Sequence, residues 1–183
     1  MQTHTLRNGL NLTRLGLGAA QLGNLYRETT EQEALDTVAT AWDGGVRYFD
    51  TAPHYGIGVS ERRVGALLSE YPRDEFVLST KVGRILEPAP DRVGERDDQG
   101  FDVPVTHTRR WDFSRDGVLR SIEESLTRLE LDRIDIAYLH DPDDHFEQAS
   151  TEGIGARTEL REQGALRAVG AGRNAAAPLA ELS

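Results

Sequence analysis

Residues Thr30–Thr51 read TEQEALDTVATAWDGGVRYFDT, and this one stretch decides the fold. Thr30-x-x-Glu33 is a capping box, in which the threonine hydroxyl and the glutamate carboxylate each satisfy a backbone N–H that the first helical turn leaves free. Ala34, Leu35, Val38, Ala41 and Trp42 then recur with helical period on one face. Gly44-Gly45 ends the helix, since glycine tolerates the left-handed conformation that closes a last turn. Directly afterwards Arg47–Thr51 (RYFDT) is a short run rich in strand formers. Helix, brief link and strand together are half of a βαβ unit.

The same alternation continues in both directions. Leu12–Leu17, Phe76–Lys81 (FVLSTK), Ile134–Leu139 (IDIAYL) and Leu166–Ala171 (LRAVGA) are further strand candidates, making five. Between them Val64, Leu67, Leu68 and Tyr71 form a second helical stripe, and Val118, Leu119, Ile122, Leu126 and Leu129 a third. Ser60 and Ser114 are expected to cap these helices. Strands alternating with helices over short links predict right-handed crossovers and a parallel sheet. Two segments depart from the rhythm. Residues 3–13 predict a small hairpin, with Asn8-Gly9 as a type I′ turn. Residues 84–113 carry Pro88, Pro90, Pro104 and many charges without periodicity, and are expected to be a long loop covering an active site. The whole chain reads as one domain.

Composition narrows the chemistry. The 183 residues carry 21 Lys+Arg against 31 Asp+Glu, a net charge of -10, which argues against nucleic acid or an anionic membrane surface as partner. The absence of cysteine removes disulfides, zinc–thiolate sites, iron–sulfur clusters and thiol nucleophiles. Met1-Gln2-Thr3-His4 does not begin a signal peptide, and no apolar run reaches membrane-spanning length, so a cytoplasmic location is expected.

Four polar residues stand at successive strand ends. Asp50 closes the second strand candidate, Tyr55 follows in the loop after it, Lys81 ends the third and His140 follows the fourth. In a parallel α/β barrel the residues just past the strand C-termini converge on one face. An ammonium ending an apolar strand needs a partner, and Asp50 on the neighbouring strand is placed to be it. A tyrosine hydroxyl exchanges protons poorly near neutrality, and a nearby ammonium favours its ionised form. Such a group beside a histidine suits interconversion of carbonyl and alcohol, with a nicotinamide cofactor handling the hydride.

Phe49-Asp50-Thr51-Ala52-Pro53-His54-Tyr55-Gly56, Ser79-Thr80-Lys81-Val82-Gly83 and Tyr138-Leu139-His140-Asp141, in that order, resemble the aldo-keto reductase family. The resemblance covers essentially the whole chain. It implies a (β/α)8 TIM barrel and a catalytic tetrad of Asp50, Tyr55, Lys81 and His140, with Tyr55 as general acid or base and NADP or NAD as cofactor. It also implies that Gly18, Ala19 and Ala20 of the loop Gly16–Ala20 touch the cofactor together with Asp50. Asn174 would hold the nicotinamide carboxamide, whereas Arg173 departs from the family's usual small or apolar neighbour. Leu139–His145 and Trp111-Asp112-Phe113-Ser114 are similar to a branch of aldose and pyridoxal dehydrogenases. The implied partner is therefore a small-molecule carbonyl or sugar substrate, touched by His140 and Trp111. Trp111 and Phe101 either line that pocket or pin the long loop.

Other patterns point elsewhere less strongly. Gly16-x-Gly18-x-x-Gln21 lacks the third glycine of a dinucleotide-fold fingerprint. Gly56-Ile57-Gly58 reads as a tight turn rather than a phosphate cradle. His140, Asp141, Asp143, Asp144 and His145, with Asp50 and His54, offer the residue types of a divalent-metal site, but are read as solvated loop acids rather than a metal centre. A regulatory relative without activity and a metal-dependent barrel enzyme stand as the rival readings. Length adds one more expectation. A (β/α)8 barrel typically takes about 250 residues, so this sequence supplies about five strands, retains the tetrad and stops soon after Asn174. The expectation is a C-terminally truncated chain that binds cofactor poorly and turns over little.

Overall fold

The chain opens with a hairpin, β1 (Thr3–Thr5) and β2 (Asn11–Thr13), followed by β3 (Leu17–Gly18), α1 (Glu31–Asp43), β4 (Tyr48–Asp50), α2 (Val59–Leu68) and β5 (Val77–Val82). A second hairpin, β6 (Arg84–Pro88) and β7 (His107–Trp111), precedes α3 (Arg115–Leu129) and β8 (Ile136–His140). The single turn α4 (Phe146–Gln148) runs through a π-helical segment, Ala149–Gly153, into α5 (Ile154–Glu162), and β9 (Ala168–Gly172) ends the described part. These features come from a computed structural model, which describes residues 1–172.

One parallel sheet runs β3-β4-β5-β8-β9, with every strand beside its predecessor in that series. Strictly sequential order is that of a (β/α) barrel; a doubly wound sheet would reverse at a switch point. Helices cover one face of the sheet. Phe49, Leu78, Ala137 and Leu139 from the strands pack there with Val38 and Trp42 of α1, Val64 and Leu68 of α2, and Val118 and Leu129 of α3. Phe49 is fully buried, and truncating it to alanine costs about 3–5 kcal/mol on the usual scale for a core aromatic. The capping box of α1 forms as the sequence predicts: Glu33 N–H donates to Thr30 Oγ1 at 3.2 Å and Thr30 N–H to Glu33 Oε2 at 2.8 Å.

Because strand side chains alternate, the other face carries a different set, arranged in layers. Leu10 from the first hairpin packs with Val77 and Ile136 at the bottom. Above them the hydroxyls of Tyr48 and Tyr138 lie 3.2 Å apart, and Ser79 Oγ lies 3.2 Å from the Tyr48 hydroxyl. Asp50, Lys81 and His140 occupy the same face one step further along their strands. At the opposite end of β8, buried Asp135 accepts from Arg73 Nη2 at 2.7 Å and from Leu78 N–H at 2.9 Å, tying β5 to β8. No helix among the described residues is long and apolar enough to cross a membrane.

Several local expectations give way. Leu12–Leu17 is not one strand: its first half belongs to the hairpin and only Leu17–Gly18 joins the sheet. The turn at Asn8-Gly9 is not type I′, which needs positive φ at both residues, since only Gly9 (φ +83°) has it. Gly9 N–H donates to Leu6 O and Leu6 N–H to Leu10 O, giving a three-residue loop closed by a glycine bulge. Gly58, not Ser60, is the N-cap of α2; Ser60 lies inside the helix, and its buried hydroxyl donates to Ala19 O at 2.7 Å. Most notably, residues 84–113 are not a structureless loop. β6 and β7 pair antiparallel from Arg84↔Trp111 to Pro88↔His107. Backbone hydrogen bonds hold this ladder, and of its side chains (RILEP against HTRRW) the adjacent Ile85 and Leu86 are the buried ones, which is why it shows no hydrophobic period.

Candidate active site

Asp50, Lys81 and His140 share the inward face because each sits an even number of residues from an inward neighbour: Tyr48, Ser79 and Tyr138. Lys81 is 9% exposed, and its Nζ donates to Asp50 Oδ2 at 2.6 Å and to Thr51 O at 3.1 Å. Ser79 Oγ donates to the other oxygen, Oδ1, also at 2.6 Å. Burial works against the ammonium, but Asp50 and then Tyr55 outweigh it, and the Lys81 pKa is raised above its ordinary value. The lysine is therefore charged and locked.

Tyr55 is set by backbone, not by its ring. Its N–H donates to Ala52 O at 3.1 Å in a tight turn, and the left-handed Gly56 (φ +61°) follows. There the chain presses against the loop after β3. A Cβ on Gly56 would fall 2.2 Å from Gly23 O, and one on Gly23 would fall 2.6 Å from the Tyr55 carbonyl carbon. Two glycines thus let two loops touch and hold Tyr55 over the strand ends. Lys81 Nζ stands 4.8 Å from the centroid of the Tyr55 ring.

These groups open onto a cleft of about 430 Å³, which Tyr55, Lys81, His140, His54, Phe101 and Asp141 help to line. That volume suits a small organic ligand. A hollow of about 440 Å³ near His145, Glu147 and Thr151 contains none of the strand-end groups. Phe101, in the segment between β6 and β7, meets the His54 ring edge-to-face at 5.1 Å and the Tyr55 ring at 6.0 Å, so it lines the cleft. His54 in turn stands edge-to-face against His140, with centroids 5.3 Å apart. Among the described residues no group of three or more His, Asp or Glu side chains is placed to hold a metal ion.

Both imidazoles are neutral. Burial, followed by the charges of Arg84, Arg109 and Lys81, brings the His54 pKa to about 3. Burial and then Arg84, Lys81, His54 and Arg109 hold His140 well below its ordinary value. His140 is therefore a neutral imidazole, able to donate or accept a hydrogen bond and carrying no charge.

The arginines come from the second hairpin and were missed as site residues by pattern reading. Arg109 on β7 pairs with buried Asp97 through two contacts, 2.5 and 3.1 Å, and also donates to His54 O at 3.0 Å. Arg84 on β6 pairs with Asp141 at 2.8 Å. The one available signal was the alternation of Arg109 and Trp111, two residues apart as on one face of a strand. Trp111 itself is absent from the cleft wall; its ring stacks on the Arg84 guanidinium at 4.2 Å and packs beside His145.

The residues expected at the cofactor are close together where they are described. Gly18 pairs with Asp50 in the sheet and has open space where a side chain would stand. Ala19 is buried, and its N–H donates to Asp50 O at 2.8 Å; Ala20 and Gly172 line the cleft. This bare backbone beside Lys81 and Tyr55 fits a flat, amide-bearing ring such as nicotinamide. Asn174 lies outside the described residues.

The sequence pattern of the Aldo/keto reductase family matches residues 14–182. A D-threo-aldose 1-dehydrogenase of Pseudomonas sp. is 49% identical over 167 residues, covering 90% of this chain and 51% of its own. A pyridoxal 4-dehydrogenase of Microbacterium luteolum is 40% identical over 187 residues, covering 92% and 54%. Among solved structures, a glycerol dehydrogenase of Gluconobacter oxydans superposes with a TM-score of 0.75 at 26% identity, over 98% of this chain and 50% of its own. The chain spans about half the length of the curated relatives it matches.

Proposed function

This chain belongs to the aldo/keto reductase family, and on that premise we propose that its cleft serves hydride transfer between NAD or NADP and a carbonyl or aldose hemiacetal carbon. The observation that carries the reading is the Asp50–Lys81–Tyr55 arrangement: a lysine held at 2.6 Å by a carboxylate and 4.8 Å from a tyrosine ring, in one cleft with a neutral histidine. Gly18, Ala20, Asp50 and Gly172 would border the dinucleotide's nicotinamide end, and Asn174 is proposed to hold its carboxamide. When bound, that group supplies or accepts the hydride.

Tyr55 moves the proton. In the oxidative direction its oxygen takes the proton of the substrate hydroxyl as the neighbouring C–H bond breaks, and in reduction it returns one to the carbonyl oxygen. Lys81 stabilises negative charge developing on these oxygens, with Asp50 and Ser79 fixing the ammonium in place. His140, kept neutral, orients the substrate oxygen by a hydrogen bond. Phe101 covers the cleft and limits water. The relatives' names point to an aldose at C1 or to pyridoxal at C4, and the reacting group on this reading is the hemiacetal carbon, oxidised to a lactone. The test is a screen of L-fucose, D-arabinose, pyridoxal and simple aldehydes against NAD and NADP, with Tyr55→Phe alongside. Unchanged turnover in the phenylalanine variant sinks the proton assignment, and activity on simple aldehydes alone sinks the hemiacetal reading.

A further inference from the structure

Asp141 takes no part in the proton path, yet it stands on the cleft wall beside His140. It is one of five non-glycine residues with positive φ among the described residues, at +41°. Such a backbone is unfavourable for most residues, though aspartate tolerates it better, and it gathers at functional sites. Its N–H donates to Gly172 O at 2.9 Å, which pins the turn to the end of β9. The carboxylate is 32% exposed, and its Oδ2 accepts from Arg84 Nη2 at 2.8 Å. The same oxygen stands 3.8 Å from His140 Nε2. Oδ1 has no partner among the described residues. A purely fastening role, joining β6 to the end of β8, accounts for one carboxylate oxygen and leaves the other unused among the described residues.

We propose that Asp141 is the specificity-determining residue of this cleft: its free oxygen accepts a hydrogen bond from the hydroxyl on the carbon next to the reacting one, so the site selects α-hydroxylated carbonyl compounds such as sugars. The proposal rests on the oxidoreductase reading above and names what that reading leaves open. An oxygen held by His140 and a hydroxyl on the adjacent carbon are neighbours in any aldose, as His140 Nε2 and the Asp141 carboxylate are in the protein. The Arg84 contact, covered by Trp111, engages Oδ2 alone, and the turn is held by the Asp141 N–H bond to Gly172 O. A hydrogen bond to a charged group discriminates by about 10- to 100-fold.

The experiment compares D-arabinose with 2-deoxy-D-ribose, which lacks only the hydroxyl at C2, both by direct calorimetric titration and by turnover with NAD or NADP. Wild type is expected to prefer D-arabinose at least about tenfold. Asp141→Asn is expected to reduce that preference below about threefold. Arg84→Gln breaks the same ion pair but keeps the carboxylate, and is expected to retain the preference. Equal treatment of the two sugars by wild type overturns the proposal. So does an Asp141→Asn variant that keeps the preference, or an Arg84→Gln variant that loses it equally. Should Asp141→Asn fail to fold, Asp141→Glu moves the carboxylate by one methylene and must weaken the preference. A preference in titration with no hydride transfer from either sugar defeats the dehydrogenase reading while supporting the role of Asp141.

Discussion

Gly56 and Gly23 meet backbone to backbone, so closely that a methyl on Gly56 would fall 2.2 Å from the Gly23 carbonyl oxygen. The contact crosses from the loop after β4 to the loop after β3 and sets where Tyr55 stands. Gly56→Ala adds that clash to the strain of a positive φ and is expected to cost about 2–4 kcal/mol. Gly9→Ala, at a similar φ but with nothing near, is expected to cost only about 1 kcal/mol. Urea melts of the two variants check the difference. Equal losses would mean that the contact carries no steric weight.

Asp50→Asn removes the charge that holds Lys81 and leaves a mostly buried ammonium facing an amide. Stability is expected to fall on the order of 3 kcal/mol, and any hydride transfer by at least about 100-fold. Absorbance at the nicotinamide band and a thermal melt on the same sample read both effects. Retained activity would remove Asp50 from the proposed machinery.

Acid is expected to unfold this protein early. Above a pH near 6.5 His54 is neutral whether folded or unfolded and adds no pH dependence. Below it the unfolded chain takes up a proton that the folded site refuses until about pH 3, so stability falls as pH drops through that window. The slope from His54 alone is up to about 1.4 kcal/mol per pH unit, and His140 acts in the same direction. His54→Asn should flatten the profile of urea midpoints between pH 6.5 and 4.5. A profile unaltered by that substitution would show that His54 accepts a proton in the folded state.

Arg109→Leu strands Asp97, whose side chain is only 2% exposed, and frees the His54 carbonyl. The expected loss is about 3–5 kcal/mol. Double substitution with Asp97→Leu should recover much of it, because neither charge is then buried alone. A double variant as unstable as the single one would contradict this account of the pair.

How much of this was legible beforehand depends on which force set each feature. The period-2 and period-3.6 patterns reveal strand and helix faces, so Asp50, Lys81 and His140 could be placed at one spot from spacing alone. The α1 cap was legible because Thr30 and Glu33 are adjacent in sequence and act within one turn. Ser60 misled for the opposite reason: a serine near a helix start usually caps it, whereas here its hydroxyl is taken by Ala19 O, 41 residues away in sequence. The partners of Arg84 and Arg109 were illegible because Asp141 and Asp97 lie 57 and 12 residues away in sequence, beyond the reach of any local pattern. His54 was visible beside Tyr55, but its contact with His140 depends on how two loops cross.

The three tiers on the inner face of the sheet have a consequence for control of the site. Hydrocarbon at Leu10, Val77 and Ile136 gives way to the hydroxyls of Tyr48, Tyr138 and Ser79, and these to the ions of Asp50 and Lys81. Polarity therefore climbs in steps along the strands, and the ion pair is joined to the hydroxyl tier through Ser79, which donates to Asp50 Oδ1 at 2.6 Å. Little reorientation is needed when charge shifts above them. A substitution at Tyr48 or Tyr138, neither of which lines the cleft, would therefore reach the ion pair through Ser79.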